Sequence, residues 1–201
     1  MIFSVKNTTR HMIFELFCPH YCLLCGELGS ILCDACKFYN TAENMKKLAE
    51  GLKYQSIRAL AWPLAEMMDA ALPSLPGEIV VVPVPTTAAH VRERGLDHTW
   101  LVAKKLARLR GWKCAKMVRR VTGTVQVGAS AQQRRRQAEK AYELAGEVDQ
   151  QQSYLVLDDI CTTGASLEAV CKVLRKGGAQ NVSVAVLVGS VGSGNLGVSR
   201  R

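Results

Sequence analysis

The sequence has no apolar run near the roughly 18 residues that a membrane-spanning helix needs, and aromatic residues make up only 6% of its 201 residues. Its 48% hydrophobic and 21% charged residues are ordinary for a soluble globular protein. These values exclude the disordered, collagenous and membrane-spanning classes. The length allows one domain with an appendage, or two small domains.

Two sequence signals are also missing. No Walker A sequence, Gly-x4-Gly-Lys-Ser/Thr, occurs in the chain, so an ATP-driven motor activity has no visible basis. The N-terminal segment has neither a long apolar run nor a small-residue cleavage site. We therefore expect a cytoplasmic protein whose thiols stay reduced, with peripheral membrane association only through partners.

Acidic residues are scarce in one part of the chain. Residues 101–140 carry 12 basic residues and one acidic residue, Glu139, and this segment holds the whole surplus behind the net charge of +9. Such a surplus indicates anionic partners rather than a fold. The segment is either a solvated helix face with loop charges or an anion-binding surface, and composition leaves both open. The basic residues are Lys104, Lys105, Arg108, Arg110, Lys113, Lys116, Arg119, Arg120, Arg134, Arg135, Arg136 and Lys140.

Cysteine is abundant, and five of the eight cysteines lie within 19 residues near the N-terminus. Cys22-x2-Cys25 and Cys33-x2-Cys36 form two pairs separated by a seven-residue loop. Four thiolates with this spacing can surround one tetrahedral Zn²⁺, whose binding energy would order a segment too short for its own core. The spacing predicts a structural zinc site rather than reactive or merely buried thiols. Cys18 is the alternative ligand.

Beyond the cysteines, helices alternate with short apolar strands, which is typical of an α/β domain with a mainly parallel, Rossmann-like sheet. Asp97 is expected to cap a helix that ends at Gly111. We divide the chain into a zinc-binding module (1–40), a helical connection (41–76), an α/β domain (77–188) and a flexible tail (189–201). Strands are predicted at Ile79–Val84, around Cys114–Val121, at Tyr154–Leu157 and at Val182–Val188, with a loop at Pro85–Arg94, a mobile segment at 122–137 and a helix at Ser166–Lys176.

The sharpest motif runs from Tyr154 to Ser166, YLVLDDICTTGAS. An apolar strand delivers two adjacent carboxylates, Asp158 and Asp159, to its C-terminal end, and a loop of hydroxyls and glycine then opens a helix. Backbone N–H groups at such a helix start favour a phosphate, and the carboxylates can accept hydrogen bonds from ribose hydroxyls. The alternative is an acidic pair that caps the helix or holds Mg²⁺.

This motif resembles the phosphoribosyl-diphosphate (PRPP) loop of type I phosphoribosyltransferases. An ordered set of further elements resembles the ComF/GntX family of competence proteins over roughly residues 15–188. Besides the four-cysteine module and the Asp-Asp-x-x-Thr-Thr-Gly loop, the set comprises Leu52-Lys53-Tyr54, the Val82–Pro85 strand end, Arg94-Gly95 and Gln126.

The resemblance implies a zinc module joined to a type I phosphoribosyltransferase-like domain that serves DNA uptake in natural transformation with a helicase-like ATPase. Asp158 and Asp159 would be the catalytic pair, with Mg²⁺ accompanying PRPP. The implied PRPP-binding residues are Thr162, Thr163, Gly164, Ala165, Ser166, Arg92, Arg94, Gln126 and Arg134. Contacts to the phosphates of single-stranded DNA are predicted for Lys104, Lys105, Arg108, Arg134, Arg135 and Arg136.

Two other functions stay open at this stage. One is a nucleobase salvage or biosynthetic phosphoribosyltransferase, although nothing visible reads a nucleobase. The other is a zinc-dependent single-stranded DNA-binding module with a vestigial PRPP loop. The sequence departs from the family where Leu96, Asp97 and His98 follow Gly95, and where Gln137 stands in place of asparagine. Asp97 is therefore either a helix cap or a sign of a changed loop.

Overall fold

Apolar runs rich in β-branched residues form the centre of the molecule. The computed structural model describes residues 21–38, 42–54, 58–121, 141–161 and 164–189. The helices are α1 (Asp34–Phe38), α2 (Ala42–Tyr54), α3 (Ala61–Ala71), α4 (Ala88–Arg94), α5 (His98–Arg110) and α6 (Ala165–Lys176), with a 3₁₀ turn at Arg58–Leu60. The strands are β1 (Ile79–Pro83), β2 (Lys113–Cys114), β3 (Val118–Arg120), β4 (Tyr142–Leu144), β5 (Ser153–Cys161) and β6 (Asn181–Gly189).

Four of these strands form a parallel sheet in the order β2-β1-β5-β6. Pro83 of β1 lies opposite Leu157 of β5, and β5 continues beside β6 as far as Cys161 and Gly189. All five residues of β1 are buried, as a continuous apolar run requires when helices cover both faces of a parallel sheet. The predicted α/β class with a mainly parallel sheet is confirmed.

The alternating residues of each strand separate two apolar cores. Val81 and Leu155 point to the face covered by α2, α3 and α5, while Val82 and Val156 point to the face covered by α6 and the antiparallel β3–β4 pair. Successive side chains of a strand face opposite sides, so one strand supplies both cores. The helix α5, which precedes β2, and the helix α6, which follows β5, therefore cover opposite faces of the sheet.

Local sequence signals set the ends of α5. The Asp97 carboxylate accepts a hydrogen bond from the backbone N–H of Trp100 at 3.1 Å. Gly111 has a φ of 67°, a left-handed conformation that glycine adopts without a steric penalty and that ends the helix. The prediction of a helix with an Asp97 cap and a Gly111 stop is confirmed.

Two predicted elements are wrong. Pro85–Arg94 is not a loop throughout, because its last seven residues form α4, where the Thr87 hydroxyl accepts a hydrogen bond from the His90 N–H at 3.2 Å. The stretch around Cys114–Val121 is not one strand but two. Its first part, β2, joins the parallel sheet beside β1, and its second part, β3, pairs with β4.

The four-cysteine segment is attached to the α/β core. Cys22 and Leu32 are each 2% exposed and belong to the same apolar cluster as Leu48 of α2 and Leu64 of α3. The Lys37 ammonium of α1 lies 3.1 Å from the Glu66 carboxylate of α3. The segment therefore shares buried surface with the helices that cover one face of the sheet.

Arg110 joins the C-terminal ends of α5 and α3. Its guanidinium donates to the Asp69 carboxylate and to the backbone carbonyl oxygens of Asp69 and Leu72, at 2.6 and 3.0 Å. Arg110→Lys keeps the charge but loses the planar fork, so we expect the free energy of unfolding to fall by about 1–2 kcal/mol. Urea denaturation measures this change. Arg119→Lys, at an exposed ion pair with Glu143, is the control and should change stability by less than about 0.5 kcal/mol; equal effects of the two substitutions would contradict the prediction.

Within the described residues, no helix combines the length and the apolar character that crossing a membrane requires.

Candidate functional site

The strand order creates a crevice at the carboxyl edge of the sheet. β1 and β5 lie side by side at the centre. The chain leaves β1 through α4 and α5 towards β2, and it leaves β5 through α6 towards β6, on the opposite face. Adjacent strands whose connections go to opposite faces form a topological switch point, where open α/β sheets bind ligands.

The β5 side of this crevice carries the two carboxylates. Asp158 and Asp159 follow Leu157 within β5, and Asp159 is 5% exposed while Asp158 is half-buried. The backbone N–H of Asp159 donates to the Asp158 carboxylate at 2.9 Å. The two carboxylates therefore lie beyond the end of β1, which stops opposite Leu157, but inside β5 and not after it. The prediction of a strand that ends at Leu157 is wrong, because β5 stays paired with β6 as far as Cys161.

The helix start after β5 is the predicted phosphate cradle. Gly164 has a φ of 72° and precedes α6, and its carbonyl oxygen accepts the first helical hydrogen bond from Glu168 N–H at 2.8 Å. Ala165 is buried and Ser166 half-buried in the first turn. The backbone dipoles of a helix give its N-terminus a partial positive charge, which favours an anion. Thr162 and Thr163 lie outside the described residues.

The β1 side of the crevice opens into a cavity of about 210 Å³. Val84 lines it, and the Val84 N–H donates to the Leu157 carbonyl oxygen at 2.8 Å, which places the cavity next to the strand that bears the carboxylates. The other lining residues are Pro83, Pro85, Thr86, Asp97, Lys116, Val118, Arg119, Arg120 and Ala145.

Three cations and one carboxylate line this cavity. The Lys116 ammonium lies 3.6 Å from the Asp97 carboxylate, which therefore has a counter-charge besides capping α5. Arg119 forms an ion pair of 3.1 Å with Glu143, and Arg120 donates to the Tyr142 hydroxyl at 3.3 Å. With Glu143 counted beside Asp97, the three cations exceed the neighbouring carboxylates by one, a surplus that favours an anionic ligand.

Sequence reasoning did not assign Lys116, Arg119 or Arg120 to a ligand site. The only signal was their place in the basic segment, within the stretch around Cys114–Val121 that the sequence predicts as a strand. Arg92 is exposed on α4 and is not a lining residue, and the side chain of Arg94 is not described. Gln126, Arg134, Arg135 and Arg136 lie outside the described residues, so their predicted roles stay predictions.

The four paired cysteines meet in one cluster. The Sγ atoms of Cys22, Cys25, Cys33 and Cys36 all lie within 4.8 Å of one another, and those of Cys25 and Cys33 are 3.7 Å apart. Zn–S bonds of about 2.3 Å at tetrahedral angles put sulfur atoms about 3.8 Å apart. The donor set and spacing therefore fit a structural zinc ion. Cys18 lies outside the described residues.

Backbone hydrogen bonds around the four cysteines favour the binding of a cation. The Gly26 N–H donates to the Cys22 carbonyl oxygen at 2.8 Å. Burial raises the pKa of the Cys22 thiol, but backbone hydrogen bonds at Cys33, Cys25 and Leu24 outweigh burial and lower this pKa to about 6. The neighbouring Cys33 thiol raises the pKa of Cys36. One thiolate forms readily and disfavours the next, so a divalent cation is needed to hold four.

Comparison with known proteins adds a domain family. Residues 102–196, a little under half of the chain, match the family model described as the phosphoribosyl transferase domain. The matched region contains the Asp158–Asp159 pair and α6, and the predicted phosphoribosyltransferase-like fold is confirmed. At the family level the match supports PRPP binding or phosphoribosyl transfer. No curated protein matches the chain.

Several solved structures are similar to this chain, two of them adenine phosphoribosyltransferases. Adenine phosphoribosyltransferase from Thermoanaerobacter pseudethanolicus has 14% identity and a TM-score of 0.43, with 67% of this chain and 72% of that chain covered. The Saccharomyces cerevisiae enzyme has 16% identity and a TM-score of 0.38, with 90% and 88% covered. The allosteric regulatory enzyme of purine biosynthesis has 17% identity and a TM-score of 0.42; 63% of this chain and 25% of that chain are covered.

Proposed function

We propose that this protein is a ComF-like protein that binds PRPP or a related sugar phosphate and acts in DNA uptake. The observation that carries the sugar-phosphate part is the Asp158–Asp159 pair at the switch point, one loop before the start of α6. A ribose 5-phosphate places vicinal hydroxyls and a phosphate at opposite ends of one small ring. The carboxylates suit the hydroxyls and the helix start suits the phosphate.

The cavity beside β1 offers cations that suit a diphosphate. Lys116, Arg119 and Arg120 line it beside β1, and Arg side chains can bond two oxygens of a phosphate at once. PRPP carries its diphosphate on C1 of the ribose, away from the 5-phosphate. We therefore assign the 5-phosphate to the α6 start and the diphosphate to the cavity side. Mg²⁺ bound with the diphosphate would neutralise part of its charge.

A catalytic version of this function is a group transfer at C1. The acceptor atom would form a bond to C1 while the C1–oxygen bond breaks and the diphosphate leaves with the bonding electrons. The cations of the cavity would stabilise the charge of the leaving diphosphate. Release of diphosphate on addition of PRPP, Mg²⁺ and a nucleobase is the measurement for an ordinary salvage or biosynthetic enzyme.

The ligand itself is tested by thermal shift with PRPP and with ribose 5-phosphate, each with and without Mg²⁺. We expect PRPP with Mg²⁺ to raise the melting temperature most, because it alone occupies the helix start, the carboxylates and the cavity. Free ligand at 100 times its Kd adds about 2.7 kcal/mol of stability. Equal shifts with PRPP and with inorganic diphosphate would remove the role assigned to the carboxylates.

The DNA part of the proposal is supported by the outer side of α5. Lys104 and Arg108 are exposed there, with Lys105 half-buried between them. A single strand of DNA that neutralises several of these cations releases counterions, so its affinity falls steeply with salt and depends little on sequence. The helicase-like ATPase of DNA uptake is the implied protein partner.

We expect the affinity for single-stranded DNA to fall by about tenfold or more between 50 and 200 mM salt, because each phosphate contact contributes roughly 0.7 to the logarithmic salt slope. Fluorescence anisotropy with a labelled oligonucleotide measures this slope. Lys104→Gln combined with Arg108→Gln should reduce the slope, whereas Lys46→Gln combined with Lys47→Gln on α2 should leave it unchanged. Salt-independent binding would contradict the DNA contact.

A further inference from the structure

Two tryptophan rings support the cations on the outer side of α5. The Lys105 ammonium and the Arg108 guanidinium lie 5.2 and 5.9 Å from the centroid of Trp62 on α3. The Lys104 and Lys116 ammonium groups lie 5.8 and 4.9 Å from the centroid of Trp100. We call these four cations and two rings the cationic surface. Lys116 also lines the cavity at the switch point.

The cationic surface holds positive charge that its own helix balances only at Lys116, whose ammonium lies 3.6 Å from the Asp97 cap. α5 contains no acidic residue between His98 and Arg110, and Lys104 and Arg108 stand one helical turn apart, where like charges repel. The rings offset part of this cost, because a cation over an aromatic face gains about 0.5–2 kcal/mol. A negatively charged ligand would offset the remaining repulsion between these cations. The arrangement is thus complementary to a polyanion.

Hydrogen bonds and an ion pair connect Trp62 to the four-cysteine module. Its indole N–H donates to one carboxylate oxygen of Glu66 at 2.8 Å. The other Glu66 oxygen lies 3.1 Å from the Lys37 ammonium, and the backbone N–H of Lys37 donates to the Cys33 carbonyl oxygen at 3.0 Å. Cys33 is one of the four clustered thiols. A continuous set of contacts thus leads from the candidate zinc site to the ring beneath Lys105 and Arg108.

We propose that Lys37, Glu66 and Trp62 are positioning residues through which the four-cysteine module sets the geometry of the cationic surface for a single strand of nucleic acid. The inference rests on the DNA-binding part of the proposed function. In this proposal, none of these three side chains touches the nucleic acid. Trp62 holds the cations, Glu66 holds the ring, and Lys37 holds the carboxylate.

The decisive variant is Glu66→Leu, because positioning and simple electrostatics predict opposite results for it. Loss of a carboxylate makes the protein more positive, so a purely electrostatic surface would bind a labelled oligothymidine more tightly. Loss of the hydrogen bond to Trp62 releases the ring, so the proposal predicts an increase in Kd of about 3- to 10-fold. Glu50→Leu, at an exposed position of α2, makes the same charge change and should bind as tightly as the wild type or more tightly.

A double-variant cycle shows whether Glu66 acts through the ring. In a Trp62→Phe background the indole N–H is absent, so Glu66→Leu should add no further loss of affinity. Chelation of zinc should weaken the wild type more than it weakens Trp62→Phe. Where Glu66→Leu does not fold, Glu66→Ala, which also removes the contacts to Trp62 and to Lys37, replaces it and should weaken binding in the same way.

Two results would overturn the inference: wild-type or tighter affinity of the Glu66 variants, or an equal loss in both backgrounds. Both leave the proposed function intact, since the wild type still binds the strand. Failure of the wild type to bind oligothymidine at low salt would instead remove the DNA-binding part of the proposed function. The oligothymidine titration of the wild type is therefore run first.

Discussion

Replacing Asp158 and Asp159 together with asparagine is expected to lower the affinity for PRPP by about 100-fold. Each carboxylate is assigned to a ribose hydroxyl, and a hydrogen bond to a charged group is worth about 1.5–3 kcal/mol. Asparagine keeps the shape and one oxygen acceptor, so part of each bond is retained. A combined loss near 2.7 kcal/mol corresponds to about 100-fold at 1.4 kcal/mol per tenfold. Isothermal titration calorimetry at fixed Mg²⁺ measures the change.

Asp149→Asn is the matched control for this double variant. Asp149 lies before β5, at the opposite end of the strand, and its carboxylate accepts a hydrogen bond from the Gln151 N–H at 2.9 Å. An amide oxygen can take over that bond, so neither fold nor PRPP affinity should change. Wild-type affinity in the double variant, with the melting temperature preserved, would refute the assignment of the carboxylates to the ribose.

Much of the fold follows from signals within single segments. The apolar runs that become β1, β5 and β6 are each recognisable without knowledge of their partners, and the Asp97 cap and the Gly111 stop both lie within a residue of the helix they bound. The position of Asp158 and Asp159 after an apolar run is likewise recognisable from sequence, although β5 continues past them to Cys161, and their role in a ligand site stays a prediction.

The elements that sequence reasoning missed depend on contacts made elsewhere. α4 has only seven residues, too few for a helical period to be visible. The break between β2 and β3 reflects different partners, β1 in one sheet and β4 in the other. Arg119 and Arg120 belong to β3, which pairs with β4, and both line the cavity. The support of Lys105 and Arg108 by Trp62 joins two helices that are distant in sequence.

The four-cysteine cluster is also predictable only in part from the sequence. Its pairwise spacing alone predicts that four thiols meet, and the structure brings them together. What spacing could not predict is where the module packs. Cys22 and Leu32 enter the apolar cluster on the α2, α3 and α5 face, whereas the cluster on the α6 face contains none of the module's described residues, 21–38. The consequences of zinc loss should follow this division.

Cys22→Ser is expected to remove zinc and to lower the free energy of unfolding by about 4 kcal/mol or more, the range typical of a lost metal site. At 2–4 °C per kcal/mol for a chain of this size, the melting temperature should fall by roughly 10 °C. The physical reason is that three remaining thiols hold zinc poorly, and Cys22 and Leu32 then no longer cover Leu48 and Leu64. We expect the sheet and α6 to keep their structure, since the second cluster does not depend on the module.

Cys171→Ser separates zinc loss from the loss of a buried thiol. Cys171 is 7% exposed on α6, and burial raises its pKa, so it is a neutral packing group at ordinary pH. This control should retain one zinc ion per chain and lose about 1–3 kcal/mol for a buried hydroxyl. Metal analysis, thermal melts and circular dichroism measure the zinc content, the melting temperature and the secondary structure of both variants. Retention of zinc by Cys22→Ser would exclude the proposed ligand set, and loss of all secondary structure on chelation would show that the module and the sheet are one folding unit.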